Sequence, residues 1–268
     1  LETVLIGEKR WILENQGSEG EIYMNGSKAG DVNPYFACMA ALGLLAETKN
    51  CPMTETEQKA VGRYLDWHTG ILLETDGKMG IYRKESGKLI YKEKADSEDG
   101  YLGMYLFLMG KYLEKTESTD LPESWKKGID LALKKIQSLM QDGITQVSEE
   151  NTTVYLMDNL EVWKGLYELE HAGLKDVQAI REMRNKLQAQ IEKLFWDDAN
   201  QRWRIIGNSD RYHQTEFYPD GVAQIYPLIY EFPVKEKKKQ KILYDQFTEK
   251  FQWQKLNKKR NDFLFFLC

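Results

Sequence analysis

Asp96-Ser97-Glu98-Asp99-Gly100-Tyr101-Leu102-Gly103-Met104-Tyr105-Leu106-Phe107-Leu108-Met109-Gly110-Lys111-Tyr112-Leu113 is the stretch that decides the fold. A polar residue able to cap a helix is followed by a run that is apolar on nearly every side. Such a run marks a helix buried from most directions. Gly103 and Gly110 weaken it as an isolated helix, but small residues let a neighbouring helix come close.

The pattern recurs. Asp96, Asp158 and Asp220 are each 62 residues apart, and one further step back lands on Pro34, in Asn33-Pro34-Tyr35. At each place a helix-starting residue leads into an apolar, aromatic-rich run: 34–46, 98–113, 159–169 and 221–230. A fixed period of this size is the mark of a repeat architecture. Between these runs lie helices of another kind, at 54–73, 122–140, 174–195 and 235–251, amphipathic and heavily charged. In the third, Ile180, Met183, Leu187, Ile191 and Leu194 form one apolar stripe, while Arg181, Glu182, Arg184 and Lys186 fill the rest. A first helix is expected at 4–16.

Turn signals close the charged helices: Asp76-Gly77, Asp142-Gly143 and Asp197-Asp198-Ala199-Asn200. Short strand-like pieces come next, 80–84 with 88–91, and 202–206; Glu19-Gly20-Glu21-Ile22 holds the equivalent place after the first helix. A wet helix, a turn with a β-tongue, a carboxylate and a dry helix, repeated, predict an all-α ring of helical hairpins, an (α/α) toroid. Dry helices form its inner wall and wet ones its outer wall. The inner helices then all start at one end of the ring, where the carboxylates beside them converge. One domain over 1–268 is expected. A closed six-hairpin ring at this period needs about 370 residues, so the expectation is a ring that is truncated or open at its C-terminal end, where the apolar stub 261–268 stands.

Composition narrows the function. With 42% hydrophobic and 12% aromatic residues the chain can fill a large core. A net charge of −5 with both signs mixed argues against a nucleic-acid surface. The one basic cluster, 235–241, is expected to be a solvated outer face. No run reaches the length of a membrane span. Cys38, Cys51 and Cys268 have neither disulfide-framework nor zinc-site spacing. His68, His171 and His213 lack ligand spacing, so no metal is expected. No phosphate-binding, nucleophile-elbow or dinucleotide motif is present, and no cofactor is expected. His213 lies close enough to Asp220 to line the same mouth.

The convergent acidic set is Glu19, Glu21, Asp96, Asp99, Asp158, Glu161 and Asp220, with Glu216 nearby. Tyr23, Tyr35, Tyr82, Tyr101, Tyr155, Trp163, Tyr218 and Tyr226 accompany it. Rings stack on the apolar faces of sugars, and carboxylates bind hydroxyls. Two carboxyls can also cleave a glycosidic bond, one as acid and one as base or nucleophile. The plainer reading is that an Asp at a helix start only caps the helix. Tyr105, Phe107 and Tyr167 are expected in the core.

The segments Asn33-Pro34-Tyr35-Phe36-Ala37, Ala95-Asp96-Ser97-Glu98-Asp99-Gly100-Tyr101, Tyr155-Leu156-Met157-Asp158-Asn159-Leu160-Glu161-Val162 and Tyr218-Pro219-Asp220-Gly221-Val222-Ala223-Gln224 resemble bacterial proteins of the six-hairpin glycosidase-like superfamily. The resemblance spans about 17–230 and implies an (α/α) toroid acting on carbohydrate. Within the superfamily, Ser18-Glu19-Gly20 and the stretch from Asp96 to Tyr105 are similar to pieces of glycoside hydrolase family 8. That likeness implies Glu19 as general acid, with Glu21 as its substitute because the charged, glycine-rich stretch after Gly20 departs from the family. It also implies Asp96 or Asp99 holding the sugar at the cleavage subsite.

The expected function is therefore glycoside hydrolysis. Glu19, Asp99 and Asp158 are the catalytic candidates. Glu21, Tyr35, Asp96, Tyr101, Trp163, Tyr218 and Asp220 are the substrate-binding ones. The alternative is a non-catalytic carbohydrate-binding or scaffold protein on the same fold. A third reading, lyase-type or epimerising sugar chemistry, would call for histidines in the mouth. The chain starts at Leu1, not Met. A leader removed before it implies a secreted or cell-envelope protein; otherwise the protein is cytoplasmic. Oligomeric state is not legible.

Overall fold

The computed structural model describes residues 2–26, 30–85, 88–118, 120–175, 177–209, 216–234 and 237–252. His213 and the stub 261–268 lie outside the described residues, as do Lys235 and Glu236 of the basic cluster. The described residues form helices α1 (Glu2–Glu14), α2 (Pro34–Leu45), α3 (Glu55–Glu74), α4 (Glu98–Thr116), α5 (Glu123–Leu139), α6 (Leu156–His171), α7 (Gln178–Phe195), α8 (Val222–Ile229) and α9 (Lys237–Phe251). Each expected run lies on one of these helices.

The even-numbered helices are the dry ones. They pack in succession, α2 on α4, α4 on α6 and α6 on α8, while α1, α3 and α5 lie side by side behind them. The outer helices wet one face only. In α7 the buried residues are Ile180, Leu187, Ile191 and Phe195, and Met183 and Leu194 are partly buried beside them. α3 opens with a reciprocal capping box in which Thr54 accepts from the Glu57 amide and Glu57 from the Thr54 amide.

α4 and α6 approach more closely than ordinary helices because glycines face each other. A Cβ on Gly103 would stand 2.6 Å from the Val162 nitrogen, and one on Gly110 2.5 Å from the Glu168 carbonyl carbon. A Cβ on Gly165 would meet the carbonyl oxygen of Gly103. Backbone touches backbone along the whole seam. That seam carries Asp99 near the start of α4 and Asp158 and Glu161 near the start of α6.

The tongues are antiparallel. β1 (Asp31–Val32) pairs with β2 (Gly80–Glu85), and β2 with β3 (Lys88–Lys94); β4 (Met140–Gln141) pairs with β5 (Ile144–Thr145), and β6 (Trp196–Asp197) with β7 (Arg202–Trp203). Residues 204–206, expected as strand, contribute only an isolated bridge from Ile206 to Tyr155. The β4–β5 turn shows how the sequence specifies the tongue. Asp142 and Gly143 both adopt positive φ, 52° and 86°, which an Asp-Gly pair supplies at least cost. That turn folds β5 back and buries Thr145 completely against α4 and α6.

Candidate active site

The inner helices begin at Pro34, Glu98, Leu156 and Val222, so the 62-residue period marks one end of the molecule but not one place on each helix. Asp96 precedes α4, Asp158 lies in the first turn of α6, and Asp220 sits in a π turn, Phe217–Gly221, ahead of α8. None of the three is the cap. Asn33 caps α2 by accepting from the Tyr35 amide at 2.9 Å, and Ser97 caps α4 by accepting from the Gly100 amide at 3.2 Å. None of these three carboxylates is therefore explained by capping an inner helix.

A cavity of about 570 Å³ opens at this end. Its carboxyls are Asp96, Asp158, Glu161 and Glu216, and its rings are Tyr35, Phe36, Tyr101, Phe217, Tyr218 and Tyr226, with Asn33, Ser97 and Met157 completing the wall. Asp96 and Glu216 are exposed at the rim, Asp158 is half-buried, and Glu161 at the floor is only 2% exposed.

Glu161 joins three inner helices. Its Oε1 accepts from the Tyr35 hydroxyl of α2 at 2.5 Å and the Tyr226 hydroxyl of α8 at 3.0 Å. With Oε1 taken, its Oε2 lies toward Gly100 of α4, 2.8 Å from where a Cβ would be; Asp158 Cγ is 3.7 Å from the same point. Burial raises the Glu161 carboxyl to about 8; the two phenol hydrogen bonds lower it and the charges of Asp99 and Asp96 raise it. It is therefore largely neutral at pH 7.

Asp158 and Asp99 meet through Ser97. Ser97 Oγ is 2.8 Å from Asp158 Oδ2 and 2.7 Å from Asp99 Oδ1. Asp99 is wholly buried behind the cavity wall, where its carboxylate accepts from the Thr145 hydroxyl at 2.7 Å and the Gly100 amide at 3.0 Å. Burial raises Asp99 to about 6 against those hydrogen bonds. Asp158 is pushed well above the ordinary carboxylate range, by burial first and then by the charges of Asp99 and Glu161. The site thus sets carboxyls whose neutral form burial favours beside exposed ones at its rim, an arrangement suited to paired acid and base work.

Of the sequence candidates, Tyr35, Asp96, Tyr101, Asp158 and Tyr218 line this cavity, and Asp99 lies one hydroxyl behind it. The others lie elsewhere. Glu19 is exposed in the turn after α1, outside the cavity wall. Glu21 is buried and accepts from the Tyr23 hydroxyl at 2.7 Å and Lys84 at 3.4 Å, which pins that turn to β2. Trp163 is core: its indole donates to Gln188 of α7 at 3.3 Å and stacks on Tyr167 at 5.4 Å. Asp220 is buried, accepts from the Glu216 amide at 3.2 Å, and lines a separate cavity with Arg202, Trp203 and Gln224. Glu161 and Tyr226 belong to the convergent set but had no role assigned. Their signal was spacing: Glu161 follows Asp158 by three residues, hence on the same helix face. Ser97, Thr145 and Phe36 were missed.

No protein-family model matches the chain, and no curated protein matches it by sequence. Solved structures do. A glucoamylase from Saccharomycopsis fibuligera superposes with a TM-score of 0.58 at 12% identity, covering 83% of this chain and 57% of that one. A rhamnosidase from Klebsiella oxytoca with rhamnose bound gives 0.55 at 12% identity, covering 91% and 48%. A glycosidase variant in complex with glucose gives 0.55 at 11% identity, covering 78% and 60%. The fold is thus that of the six-hairpin (α/α) glycosidases, and the chain spans about 60% of the length of the first glycosidases it matches. Among the described residues no helix is long and apolar enough to cross a membrane.

Proposed function

We propose that the chain hydrolyses glycosidic bonds at the cavity between α2, α4, α6 and α8. One observation carries the reading: sheltered carboxyls, Asp158 and Glu161, and exposed ones, Asp96 and Glu216, open on a single cavity walled by aromatic rings. Asp158 is the general acid, because burial and its acidic neighbours favour its neutral form and it is less buried than Glu161. It takes the role that the family 8 likeness gave to Glu19. Asp96, exposed on the same cavity, is the base or nucleophile, Glu161 and Asn33 bind hydroxyls, and Tyr35, Tyr101 and Tyr218 stack on the sugar. Among the described residues the wall carries four carboxyls and no lysine, arginine or histidine. That charge favours neutral or amino sugars and repels uronic acids.

The test is hydrolysis of a panel of neutral, amino and uronic oligosaccharides, with products read by mass spectrometry. Asp158→Asn is expected to lower the rate about a hundred- to ten-thousand-fold, the span of general acid catalysis, with folding unchanged. Binding without cleavage by the parent chain would replace this reading with that of a carbohydrate-binding protein.

A further inference from the structure

Two hydroxyls, Ser97 in the cavity wall and Thr145 behind it, are each shared between two oxygens. Ser97 Oγ lies 2.7 Å from Asp99 Oδ1 and 2.8 Å from Asp158 Oδ2. Thr145 Oγ1 lies 2.7 Å from Asp99 Oδ2 and 2.8 Å from Asn159 Oδ1. A hydroxyl has one hydrogen to give. The four contacts therefore have two hydroxyl hydrogens among them, and any further hydrogen comes from a carboxyl.

Asn159 contributes none. Its carboxamide orientation is fixed, with Oδ1 accepting from the Thr145 amide at 2.8 Å and Nδ2 donating to the Thr145 carbonyl at 3.0 Å and the Tyr155 carbonyl at 2.8 Å. Ser97 Oγ already accepts from the Gly100 amide, so its own hydrogen is its only donation. One arrangement satisfies every contact: Asp158 donates to Ser97, Ser97 to Asp99, Asp99 to Thr145 and Thr145 to Asn159. If Asp99 ionises, Thr145 turns to it, Asn159 keeps the amide hydrogen bond, and the link from Asp158 to Ser97 survives. If both ionise, Ser97 cannot serve both carboxylates and one of its contacts is lost. The bridge thus favours a proton retained between the two carboxyls.

We infer that Asp99 is a positioning residue, paired through Ser97 with Asp158 so that the two carboxyls retain a proton and Asp158 is aimed into the cavity, with Thr145 and Asn159 as its anchor. This rests on the proposed role of Asp158 as acid. Asp99 itself, wholly buried, does not touch substrate. Asp96 and Glu161 also face Asp158, Tyr218 faces it from the π turn, and Tyr35 and Glu216 share the cavity. The test variants leave all five in place.

Asp99→Asn is the informative change. Its amide oxygen can accept from Ser97 and Gly100, and its amide nitrogen can donate to Thr145, reproducing neutral Asp99 without an ionisable proton. Carboxyl carbons of the full chain labelled with 13C-aspartate are titrated by NMR, and the Asp158 signal is assigned by its loss in Asp158→Asn. The Asp158 midpoint is expected to fall by about one pH unit or more in Asp99→Asn, the effect of removing a like charge. In Ser97→Ala, which keeps both charges but removes the hydroxyl that donates to an ionised carboxyl, the midpoint is expected to rise, and this second variant guards against misfolding of the first. The alkaline limb of kcat/KM, which reports the acid, should move with the midpoint in each variant. An Asp158 midpoint that stays put in the folded variants overturns the relay. Midpoints that move as expected in a chain that cleaves no glycoside support the relay and remove the catalytic reading alone.

Discussion

Replacing Gly103 by alanine sets two effects against each other. Alanine favours a helix interior over glycine by about 0.8–1.0 kcal/mol. At Gly103, however, the added Cβ would stand 2.6 Å from the Val162 nitrogen and 2.8 Å from the Glu161 carbonyl carbon. Both are backbone atoms of α6, which cannot swing aside as a side chain can. Overpacking of this kind costs about 1–3 kcal/mol, and a clash between two backbones belongs at the upper end. The net expectation is destabilisation of about 1–2 kcal/mol. Gly70, inside α3 ahead of its last turn, is the control, since a Cβ there meets nothing within 4 Å. Gly70→Ala should stabilise by the full propensity gain. Each kcal/mol moves Tm by about 2–4 °C in domains of about 150–250 residues. Differential scanning calorimetry should therefore show the two variants displaced to opposite sides of the parent. A Gly103→Ala protein melting with or above the parent would refute close packing of α4 and α6 as the reason for that glycine.

Further expectations concern the site and the residues outside it. Glu161 gains pKa on folding, from 4.5 to about 8, so its contribution to stability is complete below pH 4.5 and is lost as pH rises toward 8. Urea denaturation across that window should show the decline, and Glu161→Gln, which still accepts from both tyrosines, should flatten it. Trp163→Ala should cost about 3–5 kcal/mol of stability as a core truncation, measured by the same denaturation; a stable variant that only loses sugar affinity would return Trp163 to the binding site. Glu19→Gln should leave hydrolysis within about twofold of the parent, because a surface charge change away from the site has little effect; loss of turnover with Asp158→Asn still active would restore Glu19 as the acid.

The ring was legible because its signal is repeated. Four apolar runs and the charged helices between them identify inner and outer walls before any contact is known, and the six-hairpin fold of the matched glycosidases agrees. The site was only partly legible, for a reason of phase. Successive residues of a regular helix turn by about 100°, and the π turn ahead of α8 breaks that phase, so carboxylates that all obey the 62-residue period aim differently. Asp96 and Asp158 reach the cavity, while Asp220, inside the π turn, lines the other one with Trp203 and Gln224. Trp163 follows Asp158 by five residues, more than a full turn, and faces α7 instead. Ser97 and Thr145 carried no signal, because a lone hydroxyl gains meaning only from the carboxylates the fold brings to it.

Tyr35 of α2 and Tyr226 of α8 converge on one oxygen of Glu161 of α6. The floor of the cavity is therefore also a joint between three of the inner helices. Selection on what the pocket accepts cannot act there independently of selection on how the inner wall closes. Diversification of such a pocket is left to its rim, where Phe36, Asp96, Glu216 and Tyr218 hold exposed positions.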